Sequence, residues 1–221
     1  MFHEHERTDG CPPGSDQRPG YPQPVSRSVP VSPSVSGLFL TPGAGSDRNQ
    51  AGLLALEKHL APLPVERMDF PYRKAGKHFP DRAPVLVEAV RDGVADMAAA
   101  RGVDPSRLVL GGRSMGGRMC SMAVAEGLPA AGLVLICYPL HPPKKPKNLR
   151  VEHFGAIDVP CLFVSGDRDE FGSPDEFDAH LDAISGPVTV VRLAGRRHDL
   201  KGADEAVCDA VGDWLENLRS S

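Results

Sequence analysis

Residues 111–117, Gly-Gly-Arg-Ser-Met-Gly-Gly, constrain this chain more than any other stretch. They follow the apolar run 107–110 directly and open a helical pattern that extends from Met115 to Glu126. A Ser inside G-x-S-x-G, between a buried strand and a helix, reads as a nucleophile elbow. A turn this tight holds its central residue at strained backbone angles, so its neighbours must lack bulky side chains. Gly112 and Gly116 stand two before and two after Ser114, where a Cβ would collide with the facing backbone. The helix beginning at Met115 points its free N–H groups at any negative charge forming near the Ser oxygen. The plain alternative is a Gly-rich strand–helix turn with a chance Ser. The flanking strand and helix favour the nucleophile.

A nucleophilic Ser needs a base, and the base needs an orienting acid. Around such an elbow they follow in the order Ser, acid, His, each at the C-terminal end of a strand. The apolar run 159–165 is of buried-strand type and ends in Gly166-Asp167-Arg168-Asp169. The β-branched run 187–193 ends in Ala194-Gly195-Arg196-Arg197-His198-Asp199. Of the eight His, His198 alone follows the last strand pattern. His3 and His5 lie near the N-terminus, and His59 and His180 fall in amphipathic helical patterns. His78, His141 and His153 sit in or near loops and are minor candidates. Asp169 is preferred to Asp167 as the acid. The first residues after a strand leave the sheet before a side chain can swing back toward the His.

The rest of the chain supplies the frame. Strand patterns cover 37–41, 65–70, 107–110, 132–138, 159–165 and 187–193. Helical patterns cover 49–60, 84–101, 115–126, 149–157, 174–184 and 203–218. In the second of these, Val85, Val87, Ala89, Val90 and Val94 form the apolar side. Buried runs alternating with helices predict a parallel sheet covered on both faces. The connections are short, and none has room for a lid domain. Residues 1–36 differ: they hold seven Pro, six Ser and three Gly with few large apolar groups. Such a segment cannot bury enough surface to offset its ordering entropy, which predicts a disordered tail ahead of one domain at 37–221.

Composition closes off several classes. A chain of 221 residues can bury one sizeable core. A net charge of −4 gives no general attraction to nucleic acid or anionic membranes. No window is apolar enough to span a bilayer, and there is no basic-then-apolar leader. The five Cys show no C-x-x-C and no Cys/His cluster with zinc spacing. Cys120, Cys137 and Cys161 lie in apolar runs and suit a reducing compartment, hence the cytoplasm.

Strand, elbow, Asp and His together resemble the α/β-hydrolase superfamily. The closer resemblance is to its small, lidless group related to the dienelactone hydrolases, which contains the Tex30/KANL3-type hydrolase-like proteins. It is carried by Pro42-Gly-Ala-Gly45, Phe70-Pro-Tyr72, Gly111-Gly-Arg-Ser-Met-Gly-Gly-Arg-Met119, Tyr138-Pro-Leu-His-Pro-Pro143, Gly166-Asp-Arg-Asp-Glu-Phe-Gly172 and Arg197-His-Asp199. It covers nearly everything after the tail. The implied fold is an α/β-hydrolase domain with a reduced, mostly parallel sheet of about six strands, helices on both faces and no lid. This chain has Pro42 where the family usually has the His of His-Gly-Ala-Gly, which bears on the shape of that loop.

The resemblance implies acyl transfer. Ser114 attacks, His198 takes and returns the proton, and Asp169 fixes the imidazole tautomer. The N–H groups of Met115 and Ala44 would receive the oxyanion. Tyr72 and Tyr138 are expected to line the substrate pocket together with Arg118, although core packing explains the two Tyr almost as well, and Arg118 equally suits a buried structural partner for a carboxylate. The basic run Lys144-Lys145-Pro146-Lys147 with Arg150 reads as a solvated loop or as an attractor of acidic substrate. The expected partner is a small-molecule acyl substrate, with neither nucleic acid nor membrane, and with no metal or organic cofactor. The sequence selects no oligomeric state. The competing reading is a hydrolase-like scaffold without turnover, used for protein binding. The composition of the tail makes one prediction: a chain starting near Val35 should keep its melting temperature within a few degrees. A large drop in a thermal melt would mean that the tail supplies a strand or covers a sheet edge.

Overall fold

The computed structural model describes Met1 and residues 35–220. The expected disordered tail therefore lies outside the described residues, except for Met1 and its last two positions. Those two already belong to the domain. Val35 is buried, and the Ser36 N–H donates to the Arg107 carbonyl at 2.8 Å.

Among the described residues six strands form one sheet: β1 (Gly37–Thr41), β2 (Val65–Arg67), β3 (Leu108–Arg113), β4 (Gly132–Ile136), β5 (Cys161–Gly166) and β6 (Val188–Leu193). Their order is β2-β1-β3-β4-β5-β6, and every pair is parallel. The helices are α1 (Ala51–His59), α2 (Pro71–Lys74), α3 (Ala83–Arg101), α4 (Met115–Ala125), α5 (Pro174–Leu181) and α6 (Asp204–Ser220). The strands are apolar on both sides because both faces are covered. Phe39, Leu108, Leu110, Leu133, Leu135 and Phe163 point to the core that α3, α4 and α5 share. Leu38, Leu40, Val109, Val134, Leu162 and Val164 point to the core under α1 and α6. The period-2 alternation thus divides one sheet between two cores.

The chain runs outward from β1 to β2 and then returns to place β3 on the other side of β1. This reversal opens a crevice at the carboxyl ends of β1 and β3. The loop after β1 and the elbow after β3 both stand there. Two glycines allow the close approach. A Cβ on Gly112 would meet the Thr41 carbonyl at 2.3 Å, and one on Gly116 would meet the Thr41 and Pro42 carbonyls at 2.5 and 2.6 Å.

Several elements differ from the sequence expectation. β3 runs through Gly111 and Gly112 to Arg113, because both glycines keep their ladder register with β1 and β4. β2 ends at Arg67, and the segment expected to continue to residue 70 turns into α2 with Pro71 at its first position. β4 stops at Ile136, where Cys137 takes a positive φ of 49°. The helix expected over 149–157 reduces to one turn, Phe154–Ala156. The Arg150 carbonyl accepts the Tyr138 hydroxyl at 2.6 Å, and the Phe154 N–H pairs with Val151 in a tighter turn, so the α-helical bond from 154 to 150 is not made. α5 ends at Leu181 instead of residue 184. On α3 the buried side is Leu86, Val87, Val90, Val94 and Met97, whereas Val85 is exposed. β6 is an edge strand, only half-buried along its length. Among the described residues no helix is long and apolar enough to cross a membrane.

The glycine contacts predict a stability difference. Gly116→Ala forces a methyl into backbone that cannot rotate away, so it should cost about 3 kcal/mol, the upper end for overpacking. Gly45→Ala, with nothing within 4 Å of the new Cβ, should cost far less. Denaturant unfolding of the two variants checks this; equal midpoints would contradict the packing described for the elbow.

Candidate active site

The site begins with backbone strain. Ser114 has φ 51° and ψ −117°, an unfavourable pair for a residue with a Cβ. Two hydrogen bonds hold it there. Its N–H donates to the Ile136 carbonyl at 2.8 Å, continuing the β3–β4 ladder. Its carbonyl accepts the Arg118 N–H at 3.1 Å, beginning α4. The side chain is thereby lifted off the end of the central strand, over the positive end of the helix dipole.

His198 comes from the loop after β6, and its Nε2 lies 2.9 Å from Ser114 Oγ. Its Nδ1 lies 2.9 and 2.8 Å from the two carboxylate oxygens of Asp169. An ionised carboxylate only accepts, so Nδ1 carries the proton and Nε2 is left to accept the serine O–H. Asp169 has a fully buried side chain, and its Oδ1 also accepts the Phe171 N–H at 2.8 Å. The structure thus brings Ser114, His198 and Asp169 into one hydrogen-bonded chain. Asp167 takes no part: its Oδ1 accepts the Gly195 N–H at 2.7 Å and ties the β5 turn to the β6 turn.

Sequence reasoning gave no role to three groups that support this chain. Phe171 stacks on His198 with ring centroids 4.0 Å apart and planes at 28°. Arg113 donates to the His198 carbonyl at 2.8 Å and anchors its loop. Thr41, fully buried, donates its hydroxyl to the Gly111 carbonyl at 3.0 Å, under the elbow. Arg113 was legible in part, because it precedes the nucleophile at the end of the strand. Phe171 was not, since its ring meets His198 only through tertiary folding.

Opposite Ser114, residues 43–46 form a tight turn in which the Ser46 N–H donates to the Gly43 carbonyl at 3.1 Å. The Gly43 N–H faces Gln50 Oε1 at 3.4 Å. The N–H groups of Ala44 and Met115 have no hydrogen-bond acceptor among the described residues. They flank the crevice from the β1 side and the α4 side.

Two expectations about the pocket are corrected. Tyr72 and Tyr138 are fully buried and donate their hydroxyls to backbone carbonyls, Tyr72 to Ala44 at 2.8 Å and Tyr138 to Arg150 at 2.6 Å. A buried phenol with its O–H spent braces a loop and offers nothing to a ligand. Burial accordingly pushes both phenols above their usual pKa. Arg118 is half-buried on α4, one turn after Ser114. The minor histidine candidates lie apart from Ser114. His78 is on an exposed bend, and His141 Nδ1 donates to the Pro142 carbonyl at 2.9 Å. His153 Nε2 is 2.8 Å from Ser121 Oγ.

Among the described residues one group of donors comes close enough together for a metal: Cys137, Asp169 and His198, with ligand atoms within 4.8 Å of one another. Two of the three are committed to each other. Burial pushes the Cys137 thiol up to about 12, so it remains protonated and is a poor ligand. The cluster is better described as a thiol packed beneath the His198–Asp169 hydrogen bond.

Comparison with known proteins agrees with this architecture. The family model for the alpha/beta hydrolase domain matches residues 35–211. Among solved structures, the chain is similar to an alpha-beta serine hydrolase homologue from Coxiella burnetii, at 20% identity over 82% of this chain and 86% of that one, TM-score 0.67. It is similar to Est1E from Butyrivibrio proteoclasticus, at 15% identity over 86% and 90% of the two chains, TM-score 0.67. Dienelactone hydrolase from Anabaena variabilis aligns at 16% identity over 83% and 87%, TM-score 0.66. At these identities the neighbours show a shared fold. With the family match extending from Val35 into α6, the chain belongs to the alpha/beta-hydrolase family.

Proposed function

We propose that the protein is a serine hydrolase that cleaves a small ester, thioester or amide through an acyl-enzyme. One observation carries this reading: the unbroken chain from Ser114 Oγ to His198 Nε2 and from His198 Nδ1 to Asp169. A scaffold without turnover would have no need to hold a serine at φ 51° against an aligned imidazole.

The steps follow from the geometry. Ser114 Oγ attacks the acyl carbonyl carbon as its proton passes to His198 Nε2. Asp169 accepts from Nδ1–H and stabilises the imidazolium that forms. The carbonyl oxygen becomes an oxyanion and meets the Met115 and Ala44 N–H groups, already fixed and without acceptors among the described residues. Collapse breaks the bond to the leaving group, which takes the proton from His198. Water then attacks the acyl-enzyme, giving its proton to His198 and restoring Ser114 as the acid departs. The side chains named suffice for every proton transfer. The substrate is proposed to be a small molecule. Among the described residues four buried free thiols, at Cys120, Cys137, Cys161 and Cys208, fit a reducing compartment such as the cytoplasm.

The two acids after β5 provide the test. Asp169→Asn should leave the fold intact and lower kcat on an activated ester by about 10⁴-fold, because an amide favours the wrong imidazole tautomer. Asp167→Asn, an isosteric change two residues away, removes only the acceptor for Gly195 and should leave turnover near wild type. Circular dichroism verifies folding first. Comparable loss in both variants, or loss confined to Asp167→Asn, would overturn the assignment of the acid.

A further inference from the structure

Arg118 takes no part in the acyl chemistry, yet it stands beside it. The hydrogen bond from its N–H to the Ser114 carbonyl stacks the two residues one turn apart, about 6 Å along the helix axis. Helical Cα–Cβ bonds lean toward the N-terminus, so this side chain starts out in the direction of Ser114. Arg118 forms no ion pair among the described residues, and its Nε is buried without a hydrogen-bond partner. A buried guanidinium N–H left unmatched is costly in a protein alone.

Arg150 is held at the same edge of the sheet. Its N–H donates to the Leu140 carbonyl at 2.9 Å, and its carbonyl accepts the Tyr138 O–H at 2.6 Å. Tyr138 follows β4, whose last residue is the one that receives the Ser114 N–H. Arg150 is half-buried and also lacks an ion pair among the described residues. The two cations feel each other. Burial first, and the charge of Arg118 second, hold the Arg150 guanidinium below its ordinary value. Burial, with Arg118 again second, pushes His153 down to about 4, so this imidazole is neutral at pH 7. Its Nε2–H donates to Ser121 Oγ, which in turn donates to the Arg118 carbonyl, leaving neither group for a ligand. Glu152, exposed, is the one acid whose charge acts on both Arg150 and His153.

We infer that Arg118 and Arg150 together bind one carboxylate carried on the acyl side of the substrate, about one helical turn from the carbonyl that Ser114 attacks. The substrate class becomes the monoester or monothioester of a dicarboxylic acid. Guanidinium is suited to this task, since its fixed fork matches a carboxylate with two parallel hydrogen bonds. The exposed Lys144, Lys145 and Lys147 add a screened, long-range attraction without a fixed contact. This inference rests on the hydrolase reading above.

The test compares mono-4-nitrophenyl adipate with 4-nitrophenyl hexanoate, acyl groups of equal length that differ in the terminal carboxylate. Wild type should prefer the adipate in kcat/KM, and added salt should erode the preference. Arg118→Gln and Arg150→Gln should each lower the adipate-to-hexanoate ratio by about tenfold or more, and Arg118→Lys should restore part of it. A ratio within about twofold of wild type in both Gln variants would overturn the inference, the margin lying below the worth of one charged hydrogen bond. Binding of monomethyl adipate to the Ser114→Ala protein, followed by calorimetry, is scored separately. Binding that is lost in Ser114→Ala/Arg118→Gln supports the anion site even if neither ester is turned over. Turnover of both esters with no carboxylate preference leaves the hydrolase reading standing and refutes the anion site.

Discussion

Everything at the site depends on one strained residue. Ser114 occupies a backbone conformation that its side chain disfavours, and it stays there because two hydrogen-bond systems meet at it. The sheet claims its N–H through Ile136, and α4 claims its carbonyl through Arg118. Relaxing the strain would break the end of a ladder and the start of a helix together. The glycines answer to the same constraint. Strand β1 comes so close to the elbow that a Cβ on Gly112 or Gly116 would lie within 2.6 Å of its backbone. That contact also brings the 43–46 turn close to Ser114, where a Cβ on Gly43 would lie 3.9 Å from the serine Cβ.

The rest of the site is held by rigid elements of the sheet, reached through short loops. Asp169 leaves β5 three residues after its last member, Gly166, and is fixed by its bond to the Phe171 N–H. His198 leaves β6 and is gripped by Asp169 on one side, the Phe171 ring on its face and Arg113 at its carbonyl. An imidazole held at one edge and on its face, on an anchored backbone, has little rotamer freedom left to lose when a substrate arrives. The two tyrosines follow the same logic at one remove. Each spends its hydroxyl on a loop carbonyl, so Tyr72 braces the Ala44 turn and Tyr138 braces Arg150.

How far the sequence spoke depends on the range of the interaction. Strands and long helices were legible because their burial is periodic. Leu133 to Ile136 alternate between two cores; on α3 the sequence pattern caught Val87, Val90 and Val94, but it included the exposed Val85 and passed over the buried Leu86 and Met97. Element ends were less legible, since partners distant in the chain decide them. The helix expected over 149–157 fails where the Tyr138 hydroxyl takes the Arg150 carbonyl and the Phe154 N–H pairs with Val151, and β3 outruns its expected end because Gly111 and Gly112 stay in register with neighbouring strands. At the site, Ser114, Asp169 and His198 could be picked out by residue type and position after a strand. The state of Tyr72 and Tyr138 could not, because a tyrosine near an active site reads the same whether its hydroxyl faces a ligand or a carbonyl. Phe171 carries no local signal at all.

The central claim is that the hydrogen-bonded chain activates Ser114 as a nucleophile. The most direct measurement is intact-mass analysis of the full chain after treatment with a fluorophosphonate, with peptide mapping of the adduct. The account predicts one adduct, located on Ser114 and absent from Ser114→Ala, forming far more slowly in His198→Ala. A folded wild-type protein that stays unlabelled, or an adduct that persists on Ser114→Ala, would contradict it.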